Sequence, residues 1–158
     1  MKGNAKVLES LNKLLADELT AINQYMVHSE MCDNWGYEKL HGAIEGRARE
    51  EMHHAESLIS RIIFLEGTPI VSRLNELHIA KAVKEMIAND HQSEEAAVRA
   101  YNDGIRLATS VADDGTRDLL TDILKEEEEH VDWLEAQQDQ IEQMGLENYL
   151  SMQTEKSK

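Results

Sequence analysis

Residues 50–56 read EEMHHAE, which sets two acids, two imidazoles and a thioether in consecutive positions of a segment with helical spacing. The reading turns on a copy of part of it further along the chain. Glu51 is followed three positions later by His54, and Glu127 by His130; Glu18 is followed seven positions later by Tyr25, and Glu94 by Tyr101. Each member of the first half is displaced from its counterpart by 76 positions. Offsets that agree without a gap mean that each half is one helical hairpin carrying the same polar device. A single Glu-x-x-His is common in an acidic helical sequence, and Glu50-x-x-His53 is a decoy of that kind. The doubling, with its matched lone glutamates, is what carries information.

The remainder of the sequence supports an all-α fold. Proline occurs once, at Pro69, and alanine, leucine, glutamate and isoleucine dominate between a few breaks. Leu8, Leu11, Leu15, Ile22, Tyr25 and Met26 recur at helical spacing and predict a first helix over about Ala5 to Asn34, interrupted by Asn34-Trp35-Gly36. A second is predicted over about Glu38 to Glu66, stopped by Gly67-Thr68-Pro69. A third covers about Ala82 to Val111, a fourth about Thr116 to Met144, and a short fifth Leu146 to Met152. The joints between helices one and two and between three and four are short, so those pairs are antiparallel neighbours. Between two and three lie residues 67–81, too many for a tight turn. A helix of roughly 29 residues is about 44 Å long, and fifteen extended residues reach about 50 Å, so this connection can run the length of the bundle. The expected architecture is a four-helix bundle over about 5–144 with one long crossover, a short C-terminal helix over about 146–152 and a tail over 153–158.

Composition narrows the partners. The 158-residue chain has the size of one ordinary domain, and 31 acids against 16 bases leave a net charge of −15. That balance argues against nucleic acid or an anionic membrane and suits cations. Cys32 is the only cysteine, which rules out an internal disulfide and a four-cysteine metal site. The start MKGNAKVLES has no apolar signal region and no run reaches membrane-spanning length, so a cytoplasmic, soluble protein is expected.

Direction separates the repeated pair from the decoy. At about 100° per residue, with Ile44 at 0°, Leu40, Ala48, Ala55, Leu58, Ile59 and Ile62 define a sector centred near 10°. Glu51 lies about 30° and His54 about 90° from that centre, whereas Glu50 and His53 lie about 130° and 170° away. Glu127 falls in the middle of the stripe of Leu120, Ile123, Leu124, Val131 and Leu134, with His130 on its edge. Glu18 stands among Leu11, Leu14, Ile22 and Tyr25, and Glu94 among Ile87, Val98 and Tyr101. Four carboxylates thus occupy core positions without an inward lysine or arginine nearby, and each would cost several kcal/mol unpaired. Two divalent ions balance four carboxylates, and two neutral imidazoles complete their shells. Glu51 and Glu127 are the expected bridging ligands, Glu18 with His54 completing one ion and Glu94 with His130 the other. Mixed oxygen and nitrogen donors suit iron, manganese or zinc alike.

From its first residues to about Ser151 the sequence resembles the bacterioferritins. The resemblance is carried by MKG at the start, LNKLLADELTAINQY with Glu18 and Tyr25, Asn34-Trp35-Gly36, RIIFLEGTP closing helix two and QMGLENYL at Gln143 to Leu150, together with the six acids and histidines and Met52. It implies one ferritin-like domain and a homo-oligomeric shell of 24 subunits built from twofold dimers. The shell would oxidise Fe(II) at a di-iron centre with O2 or H2O2 and store the ferric mineral. Met52, displaced by about 100° from Glu51 on the wheel, reads from position alone as a packing or interface methionine. The resemblance makes it a haem ligand shared across a twofold interface, with the haem assisting iron release and a small ferredoxin as electron donor. An accessory iron site found in some members one helical turn before Met52 is not expected, since Gly46 to Glu50 offers only Glu50. The competing function is a non-storing di-iron oxygen- or peroxide-reducing enzyme of the rubrerythrin kind, whose usual four-cysteine domain a single cysteine cannot build. Tyr25 and Tyr101 read as core side chains able to hydrogen-bond ligands, His91 as a satisfied histidine close to Glu94, and Trp35 and Trp133 as packing.

Overall fold

The computed structural model describes residues 1–156. Five α-helices follow one another, with no strand among the described residues: α1 (Ala5–Asn34), α2 (Glu38–Phe64), α3 (Val83–Ser110), α4 (Asp114–Met144) and α5 (Leu146–Gln153). Of the tail expected over 153–158, Gln153 belongs to α5, and Ser157 and Lys158 lie outside the described residues.

Local chemistry sets the helix ends. The Asn4 carboxamide accepts from the amides of Lys6 and Val7 and starts α1. The Asp113 carboxylate accepts from Thr116 N and starts α4 two residues before the expected Thr116. α2 stops at Phe64 instead of Glu66 because Glu66 adopts φ +63° and closes the turn with Glu66 N to Ile63 O and Gly67 N to Ile62 O. α3 ends in the same way at Ala112, φ +57°. Gly36 and Gly145, at φ +82° and +85°, make the turns that follow α1 and α4.

The most extensive packing is α1 on α2 and α3 on α4, the two antiparallel hairpins, joined chiefly through α1 against α3. α2 and α4 meet only sparsely. The core is divided. One apolar cluster, built around Cys32, Leu40, Ile44, Met86, Ile87 and Leu134, also takes in Tyr149 of α5; the other is built around Leu11, Leu15, Leu58, Ile62, Leu120 and Ile123. Tyr25 belongs to the first cluster and Tyr101 to the second.

Residues 65–82 form the long connection, with no helix of its own. Four of its backbone amides find partners on side chains of α1 instead. Ile70 N donates to Asn12 Oδ1, Asn75 N to Thr20 Oγ1, His78 N to Gln24 Oε1 and Ala80 N to His28 Nε2. From Asn12 to His28 this ladder covers about 24 Å of α1 at 1.5 Å per residue. His28 is fully buried; its Nδ1–H donates to Asp90 at 2.9 Å, which leaves Nε2 as the acceptor for Ala80. Replacing His28 with leucine takes a partner from the buried Asp90, which keeps the Gln24 amide, and strands the Ala80 amide, and is expected to cost about 3 kcal/mol in equilibrium urea denaturation. A loss under 1 kcal/mol on the same measurement would show that this end of the ladder does not anchor the crossover.

Candidate metal centre

Between the two apolar clusters the bundle holds a layer of charge. Glu18 from α1, Glu51 and His54 from α2, Glu94 from α3, and Glu127 and His130 from α4 are all between 0 and 4 % exposed. Their donor atoms gather in two groups, Glu18–Glu51–His54–Glu127 and Glu51–Glu94–Glu127–His130, in each of which one atom per residue lies within 4.8 Å of all the others. Glu51 and Glu127 belong to both groups. The decoy positions sit differently: His53 is exposed, and Glu50 is exposed on the same helix but reaches across to α4.

The layer is symmetric under exchange of the two hairpins, and each outer donor is held from the opposite one. Tyr101 Oη donates to Glu18 Oε1, and Tyr25 Oη donates to Glu94 Oε1. Burial, with the Glu94 and Glu18 charges next to Tyr25 and Tyr101 respectively, pushes both phenols well above their usual range, so they remain donors. His54 Nε2 meets Glu126 Oε2 at 2.7 Å, and His130 Nε2 meets Glu50 Oε2. Glu126 was not singled out in the sequence, although it stands 76 positions after Glu50 and so shares the offset of the repeat. Glu50, which points away from the stripe centre on the wheel, reaches His130 because its side chain is long and α4 borders that face. His91 bonds Glu95 at 2.8 Å and Glu135 at 3.0 Å, away from Glu94.

Among the described residues, ion pairs to the four central carboxylates come only from His54 and His130. His54 Nδ1 lies 2.9 Å from Glu127 and His130 Nδ1 3.1 Å from Glu51, yet neither contact has the geometry of a hydrogen bond. Seven buried side-chain atoms among the described residues have no hydrogen-bond partner: Glu18 Oε2, Glu51 Oε1, Glu94 Oε2, both Glu127 oxygens, and Nδ1 of His54 and His130. All seven belong to this layer. Unpaired buried donors and acceptors of this number are costly, and oxygens and imidazole nitrogens converging without bonding one another fit a di-iron site or another pair of divalent ions.

A cavity of about 260 Å³ leads to the layer from outside. Glu18, Glu51, Glu94 and Glu127 line its inner end, and Asn75, Glu76 and His78 of the crossover line its exposed mouth. Asp17, at the wall, is pushed up to about 6 by burial, against the hydrogen bond from Asn75.

A helical bundle with this doubled carboxylate and histidine layer defines the ferritin-like class. Residues 8–144 match the family profile described as a ferritin-like domain. The chain is 42 % identical over 154 residues to a bacterial ferritin of Synechocystis sp., covering 97 % of this chain and 99 % of the relative. It is 39 % identical over 149 residues to a bacterioferritin of Brucella melitensis (94 % and 92 % covered), and 38 % identical over 149 residues to a bacterioferritin of Mycobacterium bovis (94 % of each). The chain therefore belongs to the bacterioferritins within the ferritin-like family, which places it at the family level among iron-storage proteins with iron-oxidising activity. No helix among the described residues is long and apolar enough to cross a membrane.

Without metal, the layer stores protons. Burial, reinforced by the Glu18 charge, raises Glu51 well above the carboxylate range; burial and Glu127 do the same to Glu94. Burial also opposes charge on Glu127 and His54, but the close approach of Glu94 and His54 holds Glu127 low, and contacts with Glu127 and Glu18 push His54 up to about 11. Raised values mean that the folded chain keeps protons the unfolded chain has released. The stability these groups give the metal-free protein is therefore lost as pH rises above 4.5 for the two glutamates and above 6.5 for His54. A divalent ion replaces those protons. The rise in melting temperature produced by Zn2+ is expected to be larger at pH 7.5 than at pH 5.5, with protons released in calorimetry run in buffers of different ionisation enthalpy. A gain independent of pH, with no proton release, contradicts this.

Proposed function

We propose that the chain is a single ferritin-like domain over 1–158 whose buried layer is a ferroxidase centre. In this reading Glu18, Glu51, His54, Glu94, Glu127 and His130 are both the metal ligands and the catalytic residues. Glu51 and Glu127 would be shared by two ions, with Glu18 and His54 holding one of them and Glu94 and His130 the other. The observation that carries it is the set of seven unpartnered buried donor atoms, confined to this layer and divided between two groups that share Glu51 and Glu127. The cavity that opens at Asn75, Glu76 and His78 supports access for a small cation from outside.

As substrates, two Fe(II) ions give up one electron each, reducing O2 to H2O2, or H2O2 to two water molecules, with two protons taken up. The chain supplies the rest. Four carboxylates favour the higher charge of the product ions, and the hydrogen bonds from Tyr25 and Tyr101 fix the Glu94 and Glu18 carboxylates in place. Removing a ligand costs at least as much as removing a group that orients one, about 10–100-fold. Glu18→Ala and Glu127→Ala are accordingly expected to slow Fe(II) oxidation in air by that factor or more, followed by ferric absorbance in a stopped flow. Oxidation at wild-type rate in both variants would remove the centre from the reaction.

The same reading places the ferric product inside a cytoplasmic shell of 24 subunits built from twofold dimers. Apolar side chains left exposed on the single chain support association: Met26, Val27, Met52, Ile63 and Phe64 on the α1–α2 hairpin, and Val71 and Leu74 on the crossover. Met52 is 45 % exposed on α2. A twofold axis would bring the same methionine from two copies to one place, so a haem at the dimer interface is proposed, which Met52 would hold and which would take electrons for iron release from a small ferredoxin. Protein expressed with ample haem is expected to show a Soret band that Met52→Leu abolishes while the oligomer, sized by electron microscopy, is retained. A band that survives the substitution assigns the haem elsewhere.

A further inference from the structure

Two half-exposed glutamates outside the buried layer face the outer nitrogens of its two histidines. The Glu126 side chain, 53 % exposed on α4, meets His54 Nε2 of α2; the Glu50 side chain, 51 % exposed on α2, meets His130 Nε2 of α4. The links are crossed: each histidine is met by an acid from the helix facing its own. They repeat at the same 76-residue displacement as the buried residues, which makes them part of the duplicated device and not incidental surface pairs. The two rings between them are almost fully buried, with centroids 6.4 Å apart and planes 28° apart.

An ionised carboxylate only accepts hydrogen bonds, and a neutral imidazole has one N–H and one lone pair. The nitrogen facing Glu126 or Glu50 must therefore carry the proton, because a lone pair there would oppose another lone pair. Once a metal ion has displaced the extra proton of the layer, that leaves the lone pair on Nδ1, the atom which in both rings is buried, unpartnered and turned toward Glu127 or Glu51. Carboxylates placed behind metal-binding histidines act in this way, fixing tautomer and ring orientation and raising ligand basicity. Stability is not their purpose, since a pair with one half-exposed partner contributes little to the fold.

We propose that Glu50 and Glu126 are positioning residues of the metal centre, each assigned to one ion: Glu126, through His54, to the ion held with Glu18, and Glu50, through His130, to the ion held with Glu94. This rests on the metal-centre reading above and adds that the two outer acids act on different ions. Glutamine in either place can turn its amide N–H toward Nε2 and so admits the wrong tautomer.

The test is anaerobic Co2+ binding to the assembled wild-type protein and to the Glu126→Gln, Glu50→Gln and Glu128→Gln variants. Titration is followed by cobalt absorbance, and occupancy at each position by anomalous scattering from crystals soaked at graded Co2+. Glu126→Gln is expected to weaken the position touching His54 by about 10–100-fold while the position touching His130 is largely retained. Glu50→Gln gives the reverse, and Glu128→Gln, a neighbouring surface acid, changes neither. The metal-free melting temperatures of all three variants should match wild type. If wild type binds two Co2+ per subunit and Glu126→Gln and Glu50→Gln bind both as tightly, or each loses both positions equally, the positioning assignment falls while the centre stands. If wild type takes up no Co2+, the metal-centre reading falls and the assignment falls with it.

Discussion

Four carboxylates sit inside a hydrophobic bundle with no lysine or arginine among the described residues to meet them. That constraint organises the rest of the molecule. Glu18, Glu51, Glu94 and Glu127 are at most 2 % exposed, and the only ion-pair partners they have among the described residues are two histidines. Charge in such surroundings is tolerated only with compensation, whether protons in the metal-free state or cations in the loaded one. The apolar core accordingly stops on either side of the layer and resumes as a second cluster. One tyrosine from each cluster turns its hydroxyl into the layer, where it donates to an outer carboxylate from the opposite hairpin. The central pair, Glu51 and Glu127, keeps buried oxygens with no partner at all.

The scaffold answers a second requirement, holding two equivalent hairpins in a relation that makes their polar devices face one another. A short loop between α2 and α3 would make them antiparallel neighbours; the 65–82 segment instead runs beside α1, hydrogen-bonded to Asn12, Thr20, Gln24 and His28. The second hairpin is thereby placed with α3 against α1. The displacement along the chain becomes a symmetry in space, with crossed links from Tyr25 to Glu94, Tyr101 to Glu18, His54 to Glu126 and His130 to Glu50. The same segment supplies the mouth of the cavity that reaches the layer, so the element that fixes the hairpins also borders the way in.

Much of this was legible in the sequence because two periodicities are simple. The 3.6-residue repeat separated Glu51 and His54 from Glu50 and His53, and the observed burial follows that division. The 76-residue repeat picked out six residues that the fold brings into one layer. Helix ends were legible to within two residues, and the misses have local causes: the left-handed Glu66 ended α2 early, and the Asp113 cap started α4 early. Direction on a helical wheel does not mark Glu126, because the wheel ranks a residue only against the apolar stripe of its own helix. A glutamate that faces away from the stripe of its own helix can still reach a histidine on the next, since its side chain is long and the neighbouring helix borders that face.

By itself, then, the sequence determined the all-helical bundle, the crossover between its halves and the inward direction of four glutamates and two histidines, because these depend on spacing along a helix of fixed pitch. Tertiary structure alone decided which groups meet. That each tyrosine serves the other hairpin's glutamate, that each histidine ring is held from the facing helix, and that the crossover hangs on four polar side chains of α1 are all contacts between residues 52 to 83 positions apart. No periodicity encodes such a pairing. It follows from how the hairpins dock, and that docking is set by the packing of whole helix faces and by the need to satisfy each buried polar group.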